Sequence, residues 1–451
     1  MKRIILESAY LPDGWTRNVA LDIDQRGIIT HISTNYTGDE SVISGYGLPG
    51  MNNIHSHAFQ RAMAGLAEYS TSDNDSFWTW RDIMYRFAGS ISSADLETIA
   101  AQLYLEMLKA GYISVGEFHY LHHEDGSNLT MSQSIIDAAS RVGIGLCHLP
   151  VLYMSSGFGG KPLNDGQKRF GHDLSDYLEL LTRLSQIFEN NPNQHLGMAF
   201  HSLRAVPEEA MKECLKKLRV SGPIHIHIAE QKQEVDDCLL WSGKRPVEWL
   251  FDHAQVDERW CLVHATHLTQ EEVLRIARSG AVAGICPTTE ANLGDGLFPL
   301  KQYLNEGGDI AIGSDSHISV SVSEELRLLE YGQRLKYHRR NIAVSDEEIH
   351  TGSNLYKKCL SGGTKASGFN NGAIEIGKRA DIIMLDKNSS LLIGTPEKNI
   401  IDRFIFSGNV NSVQHVMVGG QLVIKDYKHT SEEQITAEFA ATMDRLKKVL
   451  D

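Results

Sequence analysis

Histidines with the spacing of metal ligands are the chemically most suggestive residues of this sequence. The chain has 20 histidines, and two pairs are separated by one residue: His55 and His57 in IHSHAF, and His225 and His227 in HIHIAE, where Glu230 follows. Neutral imidazoles and carboxylates are suitable ligands for zinc, which keeps an open position for water in catalytic sites. Chance alone gives about one such pair at this histidine content. The position of the pairs, rather than their number, must therefore show whether they bind a metal.

Other residues of ligand type end further apolar segments. His264 and His267 lie in WCLVHATHL, and Asp315 lies in DIAIGSDSH. Residues 55 and 57 are two apart, and side chains two apart on a strand share one face. The order His-x-His, His-x-x-Glu, His and then Asp, each at the end of a predicted strand, therefore predicts one metal site built from several strands.

The elements that must position these residues repeat along the middle of the chain. Eight apolar segments alternate with amphipathic helical segments such as ADLETIAAQLYLEMLKAG, which indicates a parallel sheet buried on both faces. The pattern predicts an α/β fold, a (β/α)8 TIM-type barrel over residues 49–368, with its active site at the carboxyl ends of the strands. A doubly wound open sheet is the alternative, but the Gly-rich turn that usually follows its first strand is missing from the sequence.

Both chain ends have a different sequence pattern from the middle of the chain. Residues 1–48 and 369–430 contain short alternating segments rich in β-branched residues, such as NVALDID and ADIIMLD, with Gly and Asn-Asp turns between them. Neither piece has enough strands for a stable core of its own. We therefore expect both ends to form one small β-sandwich domain, followed by a C-terminal helix over residues 431–451.

Composition limits the classes of function. The 451 residues are 42% hydrophobic and carry a formal charge of −14, which disfavours nucleic-acid binding. The sequence lacks both the run of about 18 apolar residues that a membrane helix needs and a signal-peptide pattern at its start. Its six cysteines are scattered without a C-x-x-C pair, as expected for reduced thiols. We expect a cytoplasmic protein without membrane or nucleic-acid partners.

Taken together, these motifs resemble the amidohydrolase superfamily, whose metal-dependent deaminases combine such a barrel with a sandwich from both chain ends. The resemblance covers nearly the whole chain. It implies that one divalent metal is bound, zinc in the first place with Fe²⁺ or Mn²⁺ as alternatives, by His55, His57, His227 and Asp315. It also implies that Glu230 and His264 act beside the bound water. His267 is the alternative to His264, and we expect His225 to lie one layer deeper in the barrel.

The strings HSHAFQRAMAGLAE and SFWTWRDIMYRFA resemble the branch of this superfamily that acts on N-formimino-L-glutamate. The resemblance implies its hydrolysis to N-formyl-L-glutamate and ammonia in histidine degradation. Metal-bound hydroxide would attack the formimino carbon, Asp315 would accept a proton, Glu230 would protonate the departing ammonia, and His264 would stabilise the tetrahedral centre. A homodimer is expected from the resemblance alone.

A dicarboxylate substrate requires cationic partners in the pocket. Arg81 and Arg204 are the candidates, since guanidinium pairs with carboxylate in a bidentate manner. The resemblance adds Gln60, Tyr120 and His201 as neutral hydrogen-bonding groups. N-formimino-L-aspartate, one methylene shorter, stays open as a substrate.

Two other functions are alternatives to this one. A deaminase or chlorohydrolase acting on a nucleobase or related ring is one alternative, although two arginines do not suit a ring pocket. A catalytically inactive barrel that serves as a binding subunit is the other, although all four ligand candidates and Glu230 are present.

The connections 68–80 and 155–173 are long enough to be covers of the active site.

Overall fold

The strands account for both predicted parts of the molecule. The computed structural model describes residues 2–69, 77–124, 127–189, 191–217 and 222–449. In chain order the strands are β1 (Lys2–Leu11), β2 (Gly14–Ile23), β3 (Ile29–Ser33), β4 (Val42–Pro49), β5 (Met51–Ser56), β6 (Tyr112–His119), β7 (Gly145–Leu152), β8 (Gln194–Leu196), β9 (Met198–Phe200), β10 (Ile224–Ile228), β11 (Trp260–His264), β12 (Val282–Ile285), β13 (Asp309–Ile312), β14 (Ile382–Leu385), β15 (Val413–Val418) and β16 (Gln421–Ile424).

Helices follow most of the central strands. They are α1 (Phe77–Ala88), α2 (Ser93–Lys109), α3 (Thr130–Val142), α4 (Leu174–Phe188), α5 (Glu208–Lys217), α6 (Lys232–Ser242), α7 (Pro246–His253), α8 (Gln270–Ser279), α9 (Pro287–Leu293), α10 (Leu300–Asn305), α11 (Val322–Tyr337), α12 (Thr351–Ser367), α13 (Ile400–Phe406) and α14 (Glu432–Leu446). A 3₁₀ helix over Ala58–Met63 follows β5 directly. Among the described helices, none is long and apolar enough to cross a membrane.

The predicted barrel is confirmed. Strands β5, β6, β7, β9, β10, β11, β12 and β13 lie side by side in this order, and all pairs between them are parallel. A parallel bridge between Ser56 and Asp315 links the first strand to the segment after the last. Its hydrogen bonds run from the Asp315 amide to the His55 carbonyl, 3.0 Å, and from the His57 amide to the Asp315 carbonyl, 3.2 Å. The closure of the barrel thus places three predicted site residues together.

The two chain ends pair with each other, as predicted. Their strands form one seven-stranded sheet in the order β16, β15, β14, β4, β1, β2 and β3. Alternate residues of β14 lie on opposite faces: Ile382 and Met384 belong to a small core with β1 and β2, whereas Ile383 and Leu385 belong to the main core of the barrel. The seven strands share one hydrogen-bonding path, so this small domain contains one sheet. The exact limits of the domains stay a prediction.

Helix α14 lies within the segment predicted to be helical and packs against the barrel. It contacts α2 through the ion pair of Lys109 with Glu432 and through a contact of Arg445 with Asp95. Ile435, on this helix, is fully buried. This helix therefore belongs to the outer layer of the barrel. Its partner α2 lies far away in the sequence.

Candidate active site

Four of the predicted ligands converge at the carboxyl ends of β5, β10 and β13. The Nε2 atom of His55 lies 3.2 Å from Nε2 of His57 and 2.9 Å from Nε2 of His227. The carboxylate of Asp315 approaches the Nε2 atoms of His55 and His57 at 3.7 and 3.3 Å. All four side chains are buried, and two groups that could hold a metal overlap at His55: one with His57 and His227, the other with His264 and Asp315.

The donor set of this cluster fits a divalent cation. Nδ1 of His57 faces the carbonyl oxygen of Phe118 at 2.9 Å, and since a carbonyl can only accept, Nδ1 carries the proton and Nε2 presents a lone pair. Burial lowers the pKa of His57 to about 3 and that of His227 well below its ordinary value, so both rings are neutral. The lone pair of His57 Nε2 therefore points toward Nε2 of His55, an arrangement that suits a cation held between the rings.

A second group, made of the proton-transfer candidates, adjoins the cluster. Nε2 of His264 lies 3.7 Å from Glu230 and 3.6 Å from Asp315, and its Nδ1 lies 3.3 Å from Glu290. Burial opposes protonation, but the surrounding carboxylates of Glu230, Asp315 and Glu290 raise the pKa of His264 well above its ordinary value. Glu290 therefore orients a ring that faces both other carboxylates.

Sharp backbone turns at the strand ends aim these side chains into the pocket. Ala229, His264 and Asp315 have φ values of +52°, +68° and +47°, a left-handed conformation that costs about 1–3 kcal/mol for residues other than glycine. Behind the first of these turns, the carboxylate of Glu234 accepts hydrogen bonds from the amides of Ala229 and Glu230, each at 3.1 Å. Glu234 thereby fixes the backbone that carries Glu230.

The predicted substrate-binding residues line the same pocket. Nε2 of Gln60 donates to the hydroxyl of Tyr120 at 2.7 Å, and the ring of His201 lies 5.7 Å from that of Tyr120. Arg81 enters from α1, and Arg204 enters from the segment after β9. The pocket is lined by His57, Gln60, Trp80, Arg81, Met84, Tyr85, Tyr120, Tyr153, Phe170, His201, Arg204, His227, Glu230, His264, Leu293 and Asp315.

Two further histidines of the sequence analysis lie outside this lining. Nε2 of His225 donates to the carbonyl of Ala366 at 2.8 Å, deeper in the barrel, and Nε2 of His267 donates to the carbonyl of Asp295 at 2.8 Å. The structure thus brings His264, and not His267, to the pocket. Of the two candidate covers, 155–173 contributes Phe170, whereas part of 68–80 lies outside the described residues. Closure of either loop stays a prediction.

Several lining and supporting residues were missed by sequence reasoning. Gln167 donates to the hydroxyls of Tyr153 and Tyr85 at 2.8 and 3.2 Å and so connects two walls of the pocket. Glu290 could have been found, because it is the acidic residue in the first turn of α9, directly behind a barrel strand. Gln167 and Tyr153 have no comparable sequence signal, since loop conformation alone brings them together.

Comparison with known proteins agrees with this fold. Residues 46–423 match the sequence profile of the amidohydrolase family. A protein of Pseudomonas aeruginosa named formimidoylglutamate deiminase is 49% identical over 452 residues, which cover 99% of this chain and 100% of that protein.

Two solved structures share the architecture. An amidohydrolase from Brucella melitensis superposes with a TM-score of 0.93 at 41% identity, covering 99% of this chain and 100% of that one. An adenosine deaminase from Xanthomonas campestris with bound zinc, 18% identical, has a TM-score of 0.82 and covers 99% and 98% of the two chains. The second likeness concerns the fold alone. The profile match and the full-length relative together show that this chain belongs to the amidohydrolase family.

Proposed function

We propose that this protein hydrolyses N-formimino-L-glutamate to N-formyl-L-glutamate and ammonia. The observation that carries the proposal is the 49% identity, over 99% of the chain, to a protein named formimidoylglutamate deiminase. The pocket agrees with this substrate, because Arg81 and Arg204 line the same space as the histidine and aspartate cluster. A molecule with a reactive formimino group at one end and carboxylates at the other suits this arrangement.

The cluster of His55, His57, His227 and Asp315 would hold one divalent cation. Three imidazole nitrogens and one carboxylate oxygen favour zinc, while iron and manganese are compatible with the same donors. When bound, such an ion lowers the pKa of water from 15.7 to about 7 and so supplies a nucleophile at neutral pH. Buried, neutral histidines keep their lone pairs available for it.

The remaining residues bind and orient the substrate. Arg81 and Arg204 would receive its two carboxylates, because the guanidinium group makes paired charge-assisted hydrogen bonds. Gln60, Tyr120 and His201 line the same pocket as these arginines and can hydrogen-bond to the substrate. Tyr153 and Phe170 add aromatic walls to this pocket.

Proton transfers follow from the second group of side chains. Asp315 accepts a proton from the attacking water, and Glu230 delivers one to the amidine nitrogen that leaves as ammonia. His264, held through Nδ1 by Glu290, donates to the developing oxyanion. One water is consumed and one ammonia leaves, while the C=N bond of the formimino group becomes the C=O bond of a formyl group.

Ammonia release by the zinc-loaded protein tests the function. N-formimino-L-glutamate should be turned over, whereas guanine, cytosine and adenosine should not. Turnover of N-formimino-L-aspartate, which is one methylene shorter, tests whether activity depends on the distance between the reacting carbon and the arginines. Turnover of a ring substrate alone would overturn the dicarboxylate pocket, and bound metal without any ammonia release would favour an inactive binding subunit.

We also propose, from the same relationship, that the protein acts in histidine degradation in the cytoplasm and as a homodimer. Light scattering coupled to gel filtration measures the oligomeric state, since a dimer would have twice the chain mass of 50.2 kDa. A mass of a single chain at micromolar concentration would contradict the dimer.

A further inference from the structure

A second, outer cavity adjoins the substrate pocket. Among the residues that the structure describes, Arg81 and Arg204 are the two that line both spaces. The outer cavity is otherwise formed by the loop that starts at Ser156 and by one face of α6. Its lining residues are Arg81, Ser156, Gly157, Phe158, Lys161, Arg204, Gln233, Asp237, Leu240 and Trp241. The two arginines therefore form the boundary between the outer space and the catalytic pocket.

The loop side of this cavity is held in place. The amide of Ser156 donates to the carbonyl of Lys161 at 2.9 Å, which closes the loop on itself. At its tip the ring of Phe158 stacks on that of Trp241 in α6, with centroids 5.2 Å apart and planes inclined by 24°. Trp241 in turn contacts Trp249 of α7 at 5.5 Å. These contacts give the cavity a defined wall.

The charge of the outer cavity is opposite to that of the whole protein. Lys161, Arg81 and Arg204 contribute three cationic groups to its lining, against the single carboxylate of Asp237. The whole chain carries a formal charge of −14. The net charge of the protein therefore disfavours the approach of an anionic substrate, and a local cationic cavity beside the pocket raises the concentration of that substrate there.

We infer that Lys161, with the outward sides of Arg81 and Arg204, forms an outer anion site that binds dicarboxylates before they reach the catalytic pocket. The identity of the natural ligand rests on the proposed function, whereas the site itself rests on the cavity and its charges. A dicarboxylate would first contact Lys161, and the shared arginines would then pass its carboxylates inward. Nothing in this step requires a chemical change in the ligand.

The rate of glutarate binding tests this site without catalysis. Glutarate is a dicarboxylate without a formimino group, and Trp241 and Trp80, which line the outer and inner spaces, report its binding by fluorescence in a stopped-flow experiment. Lys161→Glu should lower the association rate constant about 3- to 10-fold at low ionic strength, and the difference should shrink in 0.5 M NaCl. Lys161→Arg should keep most of the wild-type rate constant.

Lys168→Glu is the matched control. Lys168 belongs to the same loop region, is exposed and pairs with Asp165, and its reversal changes the net charge by the same amount. Equal rate constants for K161E and K168E, or no fluorescence response to glutarate, would overturn the outer anion site. If glutarate binds as expected but N-formimino-L-glutamate is not hydrolysed, the proposed function fails and the site stands.

Discussion

Around His264, one imidazole connects three carboxylates of different roles. Glu290 holds Nδ1, while Nε2 faces Glu230 and Asp315 at 3.7 and 3.6 Å. Glu290, which orients the ring, therefore contacts a different nitrogen from Glu230 and Asp315, which line the pocket. Glu230 lines the pocket without being among the four candidate ligands, which agrees with its proposed role in protonating the departing nitrogen.

Replacing Glu230 by Gln tests this separation. The amide keeps the size of the side chain but cannot transfer the proton, so kcat should fall by about 100- to 10,000-fold. Zinc content measured by mass spectrometry should remain at the wild-type level, because Glu230 is outside the cluster of His55, His57 and His227. Near-normal turnover with zinc bound would contradict the role.

Arg204 provides the corresponding test of substrate recognition. Arg204→Met removes a charge-assisted pair, which is typically worth about 1.5–3 kcal/mol, so kcat/KM for N-formimino-L-glutamate should fall about 10- to 150-fold. Arg204→Lys should recover part of the loss, because it restores the charge but not the bidentate geometry. Arg259→Met, at an exposed pair with Asp257, is the control. Loss of zinc from the Met variant would instead indicate a structural role.

At the residue scale, the sequence alone predicts which side chains lie together when they belong to the same strand. His55 and His57 could be placed together because residues two apart on one strand share a face. Glu290 gave a weaker signal, an acidic residue just after a barrel strand, because its contact with His264 depends on α9 beginning at Pro287, immediately after β12. Within that first turn, Glu290 also accepts a hydrogen bond from the Cys286 amide at 2.8 Å.

At the scale of the elements, one arginine connects α1 to segments near the pocket. Nε of Arg169 donates to the carbonyl of His123 at 2.9 Å, and its Nη1 donates to those of Ala88 and Ile91 at 2.5 and 2.8 Å. Ala88 is the last residue of α1, the helix that carries Arg81. Phe170, the neighbour of Arg169, lines the pocket directly.

Arg169→Met should therefore affect both stability and substrate binding. Three carbonyls lose a cationic donor, which should lower the free energy of unfolding by about 3 kcal/mol. KM should also rise, because α1 and the loop that carries Phe170 lose their common support. Urea unfolding and steady-state kinetics measure the two effects, with Arg26→Met at an exposed site as control. A loss of stability with unchanged KM would show that Arg169 does not position the pocket.

The elements themselves were predictable to different degrees. The barrel strands were recognised because parallel strands buried on both faces have nearly continuous apolar sequences. The sheet of the chain ends was harder, because β4 pairs parallel with β1 and antiparallel with β14, more than 330 residues away. Such a partner is selected by packing over the whole chain, and local alternation does not show it.

At the scale of the whole molecule, polar groups join the barrel to the sheet. Asn52 of β5 and Asn371 exchange side-chain hydrogen bonds of 3.0 Å in both directions, and Asn371 also donates to Asp381 at 2.9 Å. Asp381 accepts in addition from the Gly419 amide at the end of β15, at 2.7 Å. Because Asn52 lies three residues before His55, this network connects the sheet of the chain ends to the strand that carries the first two ligand candidates.

A group of buried histidines outside the cluster makes the stability of the whole molecule sensitive to acid. His119, His122, His148 and His172 pack together near the end of β6, with ring centroids 4.1–5.3 Å apart between neighbours. Burial lowers the pKa of His148 and His172 to about 3 and the pKa values of His119 and His122 well below their ordinary range. All four rings are therefore neutral in the folded state at pH 7.

The sign of the pH dependence follows from these directions. A histidine has a pKa of about 6.5 in the unfolded chain, so between that value and about 3 the unfolded state binds more protons than the folded one. The stability that the neutral rings contribute is complete above about pH 6.5 and is lost as the pH falls toward 3. Well below pH 6.5, each such histidine should lower the free energy of unfolding by up to about 1.4 kcal/mol per pH unit.

His172→Phe isolates one member of the group. Both ring nitrogens of His172 are buried and have no hydrogen-bond partner among the described residues, so phenylalanine breaks no bond seen there. Urea unfolding at pH values from 7.5 to 5 should show a pH slope that is shallower than that of the wild type by up to about 1.4 kcal/mol per unit. His31→Phe, at an exposed position, should keep the wild-type slope. An unchanged slope in H172F would mean that His172 accepts its proton in the folded state as readily as in the unfolded chain.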